Sequence, residues 1–242
     1  WTLILIILSI TAASHADLGA ITESIRADAQ AHPEQASALA DELADAIANA
    51  SHPDDEYRKS SAYSTLIDLR MQAGQRDLVL ASYRDYCAFY EQTHISIEII
   101  PITNRLSPYL SAYRFIKDQP AIPASEGLEF LAGFERAYAT YGDDPSSSYS
   151  YWAERINEMR STLLMMKAFQ ATETLGGPEK VLENSGSARI VASLMGQSTI
   201  YMRDQADAAI KRKDESKRID KAFGETGRLA SETSALYQAA GD

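Results

Sequence analysis

The chain has 242 residues, with 23 Lys and Arg against 34 Asp and Glu, a formal net charge of −11 and one cysteine. That length supports one large domain or two small ones around a buried core. The acidic balance argues against nucleic acid and anionic lipid as partners, because both select for Lys and Arg, and a lone Cys87 excludes an intrachain disulfide.

Trp1 to Ile10 form one apolar run, followed by Thr-Ala-Ala-Ser-His-Ala and then Asp17. The run is about half of the ~20 residues that a membrane-spanning helix needs. Ser14 and Ala16 stand at the small-residue positions that a signal peptidase reads. Residues 1–16 are therefore expected to be a secretory signal peptide, with cleavage between Ala16 and Asp17. An uncleaved anchor and a buried core helix are the alternative readings. The run has no initiator Met and no basic segment before it, so the sequence is expected to start inside the signal. The expected product is a bacterial periplasmic or secreted protein without stable membrane insertion after cleavage. Lacking disulfides, it would be held by its core.

Residues 17–242 are read as a single all-α domain, with a possible subdivision near 118–124. Alanine is abundant, Gly and Pro are few, and β-branched alternation is nearly absent. The first helix is expected over Leu18 to Ala29. Pro33 opens a second, in which Ala36, Leu39, Leu43, Ala46 and Ile47 follow helical spacing. Pro53 opens a third, about Asp54 to Ala73, with Asp54, Asp55 and Glu56 favouring the helix dipole. Gly74 ends it in a left-handed conformation. A fourth runs over about Arg76 to Gln92. Ile95, Ile97, Ile99 and Ile100 alternate weakly, as a short extended piece would. Thr103 to Lys117 can be helical with Pro108 as a kink.

After a connector at Gln119 to Pro123, helices are expected over Ser125 to Tyr141 and Tyr149 to Thr174, separated by a turn at Asp143 to Ser148. Gly176-Gly177-Pro178 closes the long helix. A short helix, Glu179 to Asn184, precedes a turn at Ser185-Gly186. Ala188 to Ala240 is read as helical with a break at Gly224 or Gly227.

Antiparallel helices joined by short Gly- or Pro-marked turns are expected to stack as helical hairpins, either as an irregular helical repeat or as a multi-helix bundle. The stretch Tyr63 to Tyr83 carries Tyr63, Leu66, Gly74 and Tyr83 at the spacing of a helix–turn–helix unit. Over residues 60–92 it resembles a tetratricopeptide repeat. A fainter echo at 125–160 runs through Phe134, Ala137, Pro145 and Trp152. Ile67, Val79 and Tyr86 depart from the small residues of that family, and the proline expected near Glu91 is absent. The resemblance implies that the first helix of the pair lines a concave face, where Asp68, Met71 and Gln72 are candidate partner contacts. Tyr83, Tyr86 and Tyr90 form a second candidate set at helical spacing. They read either as core packing or as a recognition groove, since tyrosine combines apolar area with a polar tip.

No motif selects a catalytic, metal or cofactor residue. The histidines form no His-x-x-x-His or Glu-x-x-His pair. No Gly-x-Ser-x-Gly occurs, and Gly176-Gly177-Pro178 lacks the spacing of a phosphate loop. Lys211 to Lys221 holds six basic and three acidic residues, the pattern of a solvated helix face or of a site for an acidic partner, an anionic membrane surface or the acidic remainder of a second copy. The expected function is an exported protein-interaction module for a protein or peptide, without catalysis or cofactor. The alternatives are an immunity or inhibitor protein for an exported toxin or enzyme, and a hydrolase on a helical scaffold.

Overall fold

A computed structural model describes residues 17–50, 55–93, 102–141, 149–212 and 216–241. The signal segment with Ala16, the start of the third helix at Pro53 and Asp54, Ile95 to Ile100, and the turn Asp143 to Ser148 lie outside them. The side chains of Lys211 to Lys221 lie outside as well. The described residues hold ten α-helices and no strand, so the chain is all-α. None of these helices is long and apolar enough to cross a membrane. The chain divides into two compact units, 1–96 and 97–242. The connector at 119–123 falls inside the second, as the turn between its first two helices.

The first unit contains α1 (Leu18–Ala31), a single 3-10 turn (Pro33–Gln35), α2 (Ala36–Asn49), α3 (Asp55–Gln72) and α4 (Arg76–Gln92). Asp17 caps α1, its carboxylate accepting from the Gly19 amide at 2.9 Å, and it also pairs with Arg58 of α3. The first satisfies a backbone N–H that a helix start leaves without an intrahelical partner. Leu18, Thr22, Ile25 and Ala29 form the buried stripe of α1. Leu18, Ile25 and Ala29 meet Leu39, Ala40, Leu43 and Ile47 of α2 and Ala62, Leu66 and Leu69 of α3 in one apolar cluster. Gly74, at φ 69°, makes the left-handed turn between α3 and α4. Only glycine adopts that conformation without a Cβ penalty.

α3 is the middle helix, packed on α1, α2 and α4. α1 and α3 run parallel. The Leu18 amide reaches Asp55 at the two helix starts, and Arg26 reaches Ser61 and Thr65 further along. α3 and α4 run antiparallel, with Thr93 on Glu56 at one end and Arg70 on Leu78 and Ser82 at the other. Two hairpins stacked so that the second leads with a helix set against both helices of the first make a packing compatible with a helical repeat.

The second unit contains α5 (Ile102–Lys117), α6 (Ala124–Tyr141), α7 (Tyr149–Thr174), α8 (Pro178–Glu183), α9 (Ser185–Arg212) and α10 (Ser216–Ala240). α5 continues through Pro108, which costs one ladder hydrogen bond. Phe134 of α6 takes the Tyr109 ring edge-on at 6.3 Å and lies 5.7 Å from Trp152 of α7. Gln170 of α7 pins the connector: its amide accepts from the Ala124 N–H and donates to the Pro120 and Ile122 carbonyls. α9 packs along both α7 and α10. Between α7 and α9, Ser161 and Ser198 bond to each other at 2.8 Å in a buried setting.

Two expectations change. α10 runs unbroken through Gly224 and Gly227. Each glycine costs about 1 kcal/mol in a helix, and the packing of Leu229, Thr233 and Ala240 offsets it. Ser185-Gly186 is not a turn but the first turn of α9. Asn184 precedes it as the cap, accepting from the Ser187 amide at 2.9 Å.

Candidate functional site

α3 has three neighbours, so a wide arc of its circumference is buried. Asp55, Ala62, Thr65, Leu66, Ile67, Leu69 and Arg70 lie in that arc. Tyr57, Ser61, Ser64, Asp68, Met71 and Gln72 are the exposed residues of the helix. At 3.6 residues per turn those six fall within an arc of about 100°. They therefore form one stripe along the length of α3. The stripe lies between the side that meets α1, through Ser61 and Thr65, and the side that meets α4, through Ser60 and Tyr63.

The α1 edge of the stripe is polar. Arg26 donates to Thr65 Oγ1 at 2.8 Å and to Ser61 Oγ at 3.3 Å, while Glu23 pairs with it at 2.5 Å. The α4 edge is aromatic. The Tyr63 ring stacks on Tyr86 at 5.2 Å, and Tyr86 stacks on Tyr90 at 5.2 Å. Their two hydroxyls converge on Ser60 Oγ, at 2.6 and 2.9 Å. Ser64 Oγ and Thr65 Oγ1 donate to carbonyls one turn back in their own helix, at 3.0 and 3.1 Å.

The two candidate sets therefore separate. Asp68, Met71 and Gln72 come together on the exposed stripe, with Met71 at 41% exposure. Tyr83, Tyr86 and Tyr90 are buried, and the Tyr86 and Tyr90 rings and hydroxyls are spent on the α3–α4 seam. This is the packing alternative of the two readings open for the tyrosine row. Asp17, at the expected cleavage point, is the cap of α1. Cys87 is buried beside the seam.

Electrostatics link the stripe to both neighbours. The helices around Asp68 withdraw enough water to raise its pKa above the ordinary 3.8, and the Arg26 guanidinium opposes that rise. The buried Tyr83 phenol is pushed up to about 12, first by loss of water and then by the charges of Asp68 and Cys87. Tyr63 rises by burial, with Asp85 adding to it. At the foot of the hairpin Arg70 clamps α4, donating to the Leu78 carbonyl at 3.1 Å and to Ser82 Oγ at 2.5 Å. Its Nε has no partner. Arg70 thus fixes the angle at which α4 leaves the stripe.

Sequence reasoning overlooked Tyr57, Ser61, Ser64 and Arg26. A signal for three of them exists: Tyr57, Ser64 and Met71 are spaced by seven, and Ser61 and Asp68 follow four residues after the first two. Arg26 has no such signal, since its role depends on α1 lying alongside α3. Among the described residues no group of three His, Cys, Asp or Glu is placed to hold a metal ion. Comparison with protein-family models, with curated proteins and with solved structures finds no match.

Proposed function

We propose that this chain is an exported, non-catalytic protein-interaction module of tetratricopeptide type, which binds a protein or peptide partner through the exposed stripe of α3. The carrying observation is that α3, although packed on three helices, leaves a continuous stripe from Tyr57 to Gln72 uncovered. Tyr57 is 53% exposed and Met71 41%. Large apolar side chains at both ends of a helix face left exposed among the described residues are the kind of surface a partner buries. The Ser64 hydroxyl is engaged within its own helix and that of Ser61 accepts from Arg26.

Ser64 sits midway along the stripe and is exposed, so Ser64→Arg blocks the surface without touching the core. The experiment is affinity capture from a bacterial periplasmic extract with the wild-type chain and this variant, both checked for helicity by circular dichroism. A partner retained by the wild type and lost by Ser64→Arg supports the reading. A partner held equally by both contradicts it. A single tight partner in a one-to-one complex would favour an inhibitor, and several partners a general module.

A further inference from the structure

Two carboxylates hold the start of α1 on α3. Asp17 accepts from the Gly19 amide and pairs with Arg58. Asp55, 9% exposed, accepts from the Leu18 amide at 3.4 Å. A carboxylate accepts at about four positions, so that one long bond does not exhaust it. Asp17 is also the first residue of the exported chain proposed above. Its backbone is extended, at φ −56° and ψ 123°. Successive backbone nitrogens of extended chain lie about 3.5 Å apart, so the Asp17 nitrogen is within about 7 Å of the Asp55 carboxylate.

Cleavage changes the charge at that nitrogen. Hydrolysis adds the oxygen of water to the Ala16 carbonyl carbon and leaves the Asp17 nitrogen as an amine. With an ordinary pKa of about 7.7–8.0, the amine holds an extra proton at neutral pH. Two opposing fields meet the new cation. The dipole of α1 places the equivalent of about half a positive charge at the helix start and repels it. Asp55 brings a full negative charge, at a position where burial weakens the screening by water. The Arg58 guanidinium also repels it, but is balanced by the Asp17 carboxylate. The net field therefore favours the ammonium.

We propose that Asp55 is the receptor for the α-ammonium group that cleavage creates on Asp17, so that maturation itself fastens α1 to α3. This rests on the export proposed above and adds a structural consequence of it.

The test compares three chains ending at Asp242. One starts at Asp17 with a free amine, one starts at Asp17 with the nitrogen acetylated, and one starts at Ala16, which moves the ammonium by one residue. Hydrogen exchange read by mass spectrometry follows the amides of α1. They should exchange about fivefold more slowly with the free Asp17 amine than in either other chain. A helix dipole acting alone gives the opposite order, with the acetylated chain the slowest. Asp55→Asn keeps an oxygen for the Leu18 amide and removes the charge, so it should abolish the advantage of the free amine. An acetylated chain protected as well as the free one, or an advantage that survives Asp55→Asn, would overturn the inference. The intact mass of the protein recovered from a bacterial periplasm gives its natural start. If that start is Asp17 while the exchange test fails, export stands and the docked amine does not. Protein that keeps residues 1–16 would overturn both, and a start at any other residue would overturn the inference alone.

Discussion

Gly133 and Gly224 are both helical glycines of the second unit, and the same substitution should move them in opposite directions. An added Cβ at Gly133 would lie 2.6 Å from Tyr109 Cε1, whereas one at Gly224 has no heavy atom within 4 Å. Alanine in place of glycine gains about 1 kcal/mol of helix propensity at either site. At Gly133 the contact must open by about 1 Å to reach an ordinary carbon–carbon separation. Tyr109 is 2% exposed and set edge-on against Phe134, so it has little room to yield. Overpacking of this kind costs about 1–3 kcal/mol. The propensity gain cancels between the two variants. Their difference therefore isolates the packing cost, and Gly133→Ala should be less stable than Gly224→Ala by about 1–3 kcal/mol. Urea denaturation followed by circular dichroism at 222 nm measures it. Equal stability, or a more stable Gly133→Ala, would refute the close α5–α6 approach.

Three further outcomes follow from buried or half-buried polar groups. Ser198→Ala should cost about 1–3 kcal/mol by leaving Ser161 buried without its partner. The Ser161→Ala, Ser198→Ala double variant should recover part of that loss, and a double-mutant cycle in urea reads the coupling. Tyr86→Phe should cost about 1 kcal/mol, because one of the two phenols on Ser60 is removed and the ring stack is kept; thermal melts against Tyr90→Phe check it. Asp68 has a folded pKa above 3.8, so its ionised form opposes folding at neutral pH. As pH falls through the raised value the native state takes the proton first, and the penalty disappears below 3.8. Asp68→Asn should thus be slightly more stable than wild type at pH 7, by well under about 1 kcal/mol because the group is solvent-screened. The gap should close towards pH 3, and a gap that widens on acidification would contradict the raised pKa of Asp68.

Most helices were legible because Pro and Gly mark their ends. Arg76–Gln92 and Tyr149–Thr174 follow from Gly74 on one side and Gly176-Gly177 on the other. At α10 tertiary packing had overridden a local cue. Two glycines inside α10 looked like a break, but the contact with α9 holds the helix together. Asn184 ends the short helix as expected, and its side chain also caps the next helix, so the turn expected at Ser185-Gly186 is that helix's first turn. At the candidate site, Asp68, Met71 and Gln72 were legible from the hairpin pattern. The seven-residue spacing of Tyr57, Ser64 and Met71 was also present in the sequence. The reach of Arg26 to Ser61 and Thr65 was not, because it depends on which helices lie side by side. Spacing alone left the tyrosine row open between core and surface, since a row at helical period looks the same in either place. Burial and the shared Ser60 bonds place Tyr86 and Tyr90 in the seam.

The most direct test of the account is photo-crosslinking in bacterial cells. A benzophenone side chain would be placed at Ser64 in the stripe or at Ala48, an exposed position on α2. The account predicts a discrete crosslinked adduct from position 64 and none from position 48. Equal adducts at both positions, or an adduct from 48 alone, would contradict the claim that the exposed face of α3 is where this protein meets its partner.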